Sequence, residues 1–203
     1  MMKSLPNPVT QRCSLHVVVA VTVALGAAVR VGAANHDVDP AKSSITVHVS
    51  KAGVFRAFGD NHEVRAPIKT GSVDDGPDAN VRIVIDAAQM RVLDHALSPK
   101  DRGDVQTRML GPDVLDVAQF PEIRFESTHV RRTESGALAV EGRLTLHGRT
   151  RAVVVNVRQD HDHYRGTTTA KQSDFGITPV TVAGGTVKVK DELAIEFDIV
   201  MRG

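Results

Sequence analysis

D-V-L-D-V-A-Q-F-P-E-I-R-F-E-S-T, residues 113–128, and L-T-L-H-G-R-T, residues 144–150, form the stretch whose reading decides the fold. Phe120-Pro121 divides the first half. The residue before a proline is driven out of the helical region, so a helical turn over 113–117 gives way to a strand. Beyond Pro121 the pattern has period two. Ile123, Phe125 and Ser127 share one face, and Arg124, Glu126 and Thr128 the other, as successive strand side chains must. Gly136 marks a turn. Leu138, Val140, Gly142, Leu144 and Leu146 then alternate with Glu141, Arg143, Thr145 and His147. Gly148 opens the next turn, before Val153, Val155 and Val157. This is a β-meander with one apolar and one polar face, and it holds no evident catalytic machinery.

Toward the N-terminus, Asn35 to Lys42 is a polar lead-in. Ser43 to Lys51 predicts a strand, with Ile45, Val47 and Val49 opposite Thr46, His48 and Ser50. Ala52 to Asn61, containing Phe55 and Phe58, is apolar without period and suits a loop or short helix over the end of a sheet. His62 to Lys69 alternates again, with Pro67 indicating an edge or a bulge. Gly71 and Asp74-Asp75-Gly76-Pro77 predict a turn, and Asn80 to Asp86 another strand. Ala87 to Leu97 begins as a helical stretch and then loosens. Ser98 as N-cap, Pro99 at the first position and Asp101 three residues after the cap start a helix. Its inward stripe is Val105, Met109 and Leu110, with Arg102, Asp104, Gln106 and Arg108 outward, and Gly111-Pro112 ends it.

Toward the C-terminus, His161-Asp162-His163 lies in a polar turn, Tyr164 to Lys171 is a Thr-rich strand, and Ser173 to Gly176 breaks it. Asp191-Glu192 is read as the turn into a last strand carrying Leu193, Ile195, Phe197, Ile199 and Met201 on one face. Seven to nine alternating strands with one helical insertion predict an all-β antiparallel barrel or sandwich. A barrel of about eight strands either holds one small ligand or is filled by its own side chains.

The 203 residues are enough for one large domain or two small ones, and no linker divides them. Residues 1–33 read as a signal peptide, with Lys3 and Arg12 as the basic start, Leu15 to Val29 as the apolar run and Val31-Gly32-Ala33 as the cleavage site. The alternative is a retained membrane anchor, but the run is shorter than the about 20 residues a span needs. Cys13, the one cysteine, precedes the apolar run, so the processed chain (34–203) has no thiol and no disulfide. Removing Lys3, Arg12 and Arg30 from the formal +1 leaves −2, since 1–33 hold no acid. Charges of both signs are interspersed, which argues against a nucleic-acid partner. With six Phe, one Tyr and no Trp, any cavity would be walled mainly by aliphatic side chains.

A cluster at Asp60-Asn61-His62-Glu63, with His95, has metal-ligand residue types, but neighbours on a strand face opposite ways and a metal needs three or four converging groups. A polar barrel mouth with a hydrogen-bonded histidine is the simpler reading, and no metal or cofactor is expected. His147 suits a structural hydrogen bond in its turn, His161 and His163 suit solvent, and Asp174 a turn cap. A hydrolase needs a nucleophile with a base in reach. There is no Gly-x-Ser-x-Gly and no His-Glu-x-x-His, and Ser43, Ser44 and Ser127 have no recognisable partner. The chain therefore reads as a non-enzyme.

Four segments resemble the landmarks of the YceI-like family: H-D-V-D-P-A-K-S-S-I-T-V (36–47), V-L-D-V-A-Q-F-P-E-I-R-F-E-S-T (114–128), L-T-L-H-G-R-T-R (144–151) and S-D-F-G-I (173–177). They occur in the family's order. The resemblance implies a secreted or periplasmic, up-and-down lipocalin-like barrel that binds a polyisoprenoid or other long apolar lipid inside. The ligand-facing residues would be Val47, Val49, Phe125, Leu144, Leu146, Val155, Ile195 and Phe197, with Phe55, Phe58 and Phe175 near an end. The segment K-A-G-V-F-R-A-F-G-D-N-H-E-V (51–64) departs from the family pattern, which implies a different barrel mouth. The competing reading is a filled scaffold or interaction module, including a homodimer paired through edge strands.

Overall fold

The computed structural model describes residues 35–52, 62–74, 76, 79–182 and 187–202. The chain divides into two units after Val31, and all of these residues belong to the second. The expected signal peptide, Phe55, Phe58, Asp60 and Asn61 lie outside the described residues.

Among the described residues twelve strands form one antiparallel sheet. They are β1 (Asn35–Asp37), β2 (Ser44–Ala52), β3 (His62–Arg65), β4 (Ile68–Asp74), β5 (Asn80–Asp86), β6 (Arg91–Val92), β7 (Glu122–Arg132), β8 (Leu138–Leu146), β9 (Arg149–Asp160), β10 (His163–Lys171), β11 (Thr181–Val182) and β12 (Val187–Val200), with one helix, α1 (Pro99–Leu110). The order along the sheet is β1-β4-β5-β7-β8-β9-β10-β12-β2-β3-β6. β3 and β4 are consecutive in the chain, separated only by Ala66-Pro67. The first pairs with β2 and the second with β5, so this bent segment joins the two ends of the path and the sheet curls into a barrel. With β3–β4 taken as one member, the ring is β2, β3–β4, β5, β7, β8, β9, β10 and β12; β1, β6 and β11 lie outside it, so the sheet holds more strands than the about eight expected.

The meander forms as its pattern dictates. His147 and Gly148 both take positive φ, 49° and 68°, between the paired residues Leu146 and Arg149. Such a two-residue turn matches the twist of the flanking strands. A register shift between Ser127 and His129 changes which face follows, so Val130 and Arg132 turn inward beyond it. α1 begins at Ser98, whose Oγ accepts from the Asp101 N–H at 3.1 Å, and ends at Gly111, whose N–H donates to Thr107 O at 3.0 Å. Val105, Met109 and Leu110 are partly buried against the core.

Four expectations are corrected. Asn35–Asp37 is a strand rather than a lead-in; it pairs with β4, and Val38 then bridges Met201. Gly71 lies within β4, because Val38 passes so close that a Cβ there would meet its Cγ2 at 2.8 Å. Asp191-Glu192 does not turn the chain: β12 runs through with a register shift between Val189 and Leu193, and Asp191 instead accepts from the Ser173 N–H and Oγ–H. Beyond the short 3-10 turn Ala87–Gln89, which Asp86 caps, the chain pairs with β3 as β6 rather than loosening.

Candidate ligand cavity

The interior of the ring is a cavity of ≈ 410 Å³. Every member of the ring contributes to its wall: Ile45 and Val47 from β2, Val73 from β4, Ile83 from β5, Ile123 and Phe125 from β7, Leu144 and Leu146 from β8, Val153 and Val155 from β9, Ala170 from β10, and Ile195 and Phe197 from β12. A second chamber of ≈ 540 Å³ lies at the α1 end. The two share Val47, Met90, Leu115, Leu146 and Leu193 as common wall. Voids in a packed interior rarely exceed a water molecule, whose share of liquid volume is ≈ 30 Å³. Both spaces are far beyond that and fall in the range of ≈ 300–1,000 Å³ typical of ligand sites.

Seven of the residues singled out from sequence meet on the inner wall: Val47, Phe125, Leu144, Leu146, Val155, Ile195 and Phe197. Val49 lines the chamber beneath α1. Phe175 lines neither space; it is 1% exposed and packs in the core cluster. Met90, Leu115 and Tyr164 also line the interior. Met90 and Leu115 come from connecting segments with no clear period, and Tyr164 from a strand that reads as Thr-rich, so alternation alone did not select them.

The two ends differ chemically. At the far end Arg132 Nη1 donates to Gly136 O at 2.9 Å, Gln159 Nε2 donates to Tyr164 Oη at 2.9 Å, and Asp74 Oδ1 accepts from the Gly76 N–H at 2.9 Å. Outside that end, Asp198 receives His163 Nδ1 at 2.8 Å and Arg165 Nε at 2.9 Å. Burial pushes the Asp198 carboxyl up, but these two donors more than offset it and hold it below the ordinary carboxylate value. His163 is thus paired rather than left to solvent, whereas His161 is 92% exposed.

At the α1 end, His62 lines the chamber and its Nδ1 contacts Asp94 Oδ2. Asp94 Oδ1 accepts from the Glu63 N–H at 2.8 Å. Asp94 carries no signal in the sequence, because only the β3–β6 pairing brings it to His62. The expected partner His95 is exposed. Among the described residues no three or more His, Cys, Asp or Glu side chains are placed to hold a metal. His147 Nδ1 lies 3.3 Å from Phe175 O and its ring packs edge-on to Phe120, so it belongs to the turn. Asp174 is exposed.

The fold and its interior define an antiparallel lipocalin-like barrel with an aliphatic cavity. The YceI-like domain model matches residues 36–201, and the chain belongs to the YceI-like family. Among curated proteins it is similar to a UPF0312 protein of Pseudomonas syringae pv. syringae, 37% identical over 75 residues, which are 32% of this chain and 39% of that one. A UPF0312 protein of Vibrio cholerae is 35% identical over 94 residues, 41% of this chain and 48% of the relative. The chain thus spans less than half the length of these relatives. Among solved structures, Burkholderia cenocepacia BcnA superposes with a TM-score of 0.61 at 22% identity, over 80% of this chain and 98% of the other. A polyisoprenoid-binding domain from Saccharophagus degradans gives a TM-score of 0.54 at 13% identity, over 85% and 99%. These likenesses establish the fold.

Proposed function

We propose that the barrel holds one long apolar lipid, of polyisoprenoid type, and performs no chemistry on it. The observation that carries this reading is the ≈ 410 Å³ space walled by apolar side chains from every member of the ring. A dry apolar void of that size would cost on the order of 10 kcal/mol at ~24 cal/mol per Å³, comparable to a domain's whole net stability. A hydrocarbon chain offsets this cost. Each buried methylene gains about 0.8 kcal/mol, so about fifteen carbons gain on the order of 12 kcal/mol, against about 4–15 kcal/mol for association. The aliphatic wall needs no directional groups for this, which suits a branched chain. The likeness to the polyisoprenoid-binding domain from Saccharophagus degradans supports the same ligand class. The family and the leader-like residues 1–33 support action in the periplasm or outside the cell, with 34–203 as the working domain.

The test is an organic extract of the purified protein read by mass spectrometry, with titration of prenyl compounds into wild type and Val155→Phe. Val155 faces the cavity from β9. Phenylalanine there is expected to raise stability by about 1 kcal/mol, as cavity-filling changes do, and to weaken prenyl uptake about tenfold. A loss of about 1–3 kcal/mol would mark a tightly packed interior instead. Such a loss, together with no extracted lipid and no uptake, would leave only a scaffold.

A further inference from the structure

We propose that the chamber beneath α1 receives a hydroxyl group at the end of the lipid, with His62 Nε2 as its acceptor. This deepens the lipid-binding reading above and rests on it.

The β3–β6 pairing fixes the geometry. Val64 stands opposite Val92, and the Leu93 N–H donates to Glu63 O at 2.8 Å. Asp94 follows at once, its side chain only 3% exposed. One of its oxygens accepts the Glu63 N–H. A carboxylate used as an acceptor at one oxygen accepts at the other as well, so His62 Nδ1 carries the ring hydrogen and donates it to Oδ2. In the neutral imidazole the second nitrogen then presents a lone pair. His62 is 17% exposed and stands on a wall made largely of Val47, Val49, Val64, Met90, Leu115 and Leu193. An acceptor on such a wall gains from a donor brought by the ligand, because an unsatisfied polar group in apolar surroundings is costly.

Two further features select the donor's kind. Gln172, 5% exposed and on the same chamber wall, donates one amide hydrogen to Lys190 O at 2.8 Å, which leaves its amide oxygen and a second N–H to meet a group that both donates and accepts. The charged residues of the chamber rim are Lys51 and Arg108 against Asp101 and Asp104; the signs balance, and an ionic head gains little net attraction. A neutral hydroxyl, on an aliphatic alcohol or a phenol, fits both. The polar side chains at the opposite end of the cavity, Asp74, Arg132 and Gln159, are engaged within the protein.

The experiment compares geranylgeraniol with its methyl ether, and a long-chain alkylphenol with its methyl ether, on the full chain as purified. The ethers keep the chain and remove only the donor. Wild type is expected to bind at least one hydroxyl compound about tenfold more tightly than its ether, a typical contribution of one hydrogen bond; which pair shows it identifies the alcohol or the phenol as the source. His62→Asn keeps an amide for Asp94 but loses Nε2. It is expected to bring the ratio to about one while ether binding stays unchanged. His62→Gln, which retains an acceptor farther out, is expected to keep part of the preference. Equal binding of hydroxyl compound and ether by wild type, or an undiminished ratio in His62→Asn, overturns the assignment while ether uptake still stands as proof of the apolar site. Failure of all four probes to bind wild type removes the lipid reading itself, and this assignment with it.

Discussion

At one end of the barrel the chain binds itself shut. Arg202 N–H donates to Asp37 O at 2.7 Å, Asp39 N–H to Val200 O at 2.8 Å and Met201 N–H to Asp162 O at 2.9 Å, while His163 and Arg165 hold Asp198. At the other end a helix with no fully buried residue lies over a chamber, held to the barrel by its partly buried Val105, Met109 and Leu110 and by one polar side chain: Gln106 Nε2 donates to Met90 O and its Oε1 accepts from the Val92 N–H, both at 2.8 Å. The first end spends its polar groups on the protein; the second keeps His62 beside apolar space. Regions with few buried apolar contacts open at lower free energy than the core, so among the described residues α1 is expected to open more readily than the opposite end.

The largest way to break it is at Gly166. On β10 this residue pairs with Val157 of β9 and Phe197 of β12, and a Cβ there would meet Asn156 O at 2.2 Å and Phe197 Cζ at 2.7 Å. Backbone cannot step aside as a flexible side chain can. Gly166→Ala is expected to cost about 3 kcal/mol, at the upper end for overpacking, measured by urea unfolding. A cost below ~1 kcal/mol would mean that the closed end is looser than its hydrogen bonds indicate.

Gln106 probes the open end and shows where sequence reading stops. Alternation identified the ring and most of its inner wall, because residues two apart on a strand share a face whatever lies elsewhere in the chain. It placed Gln106 outward, since a polar residue on a helix is assigned to solvent by default. Its actual partners stand 14 and 16 residues back, Val92 on the short strand β6 and Met90 just before it, a strand too short to show a period. Asp94 and His62, 32 residues apart, escaped for the same reason. The bulge after Ser127 escaped too: strict alternation from Ile123 carries His129 and Arg131 inward, whereas Val130 and Arg132 line the cavity. Pairwise contacts set by distant strands leave no local trace. Gln106→Ala leaves the Val92 N–H and Met90 O without their partner and is expected to cost about 2 kcal/mol. Hydrogen exchange of α1 amides should rise while that of β7–β9 is unchanged. Equal acceleration in both would refute the division into a firm end and a loose one.

The smallest effect concerns Asp198 and turns on pH. Its carboxyl is held below the ordinary value, so the folded state keeps it ionised where the unfolded chain would already take up a proton. The stabilisation is therefore fully present above the unfolded value of about 3.9 and is lost as pH falls through the lower folded value. The side chain is 31% exposed, and solvent screening limits such a cluster to about 0.5 kcal/mol. Asp198→Asn is expected to be less stable than wild type by about that amount at pH 7, with the two stability curves converging as pH drops below about 3.9. At 1 M salt, where the screening length is about 3 Å, the pH 7 difference should shrink. If the two curves stay apart at low pH, the ionised Asp198 carboxylate is not what fastens this end.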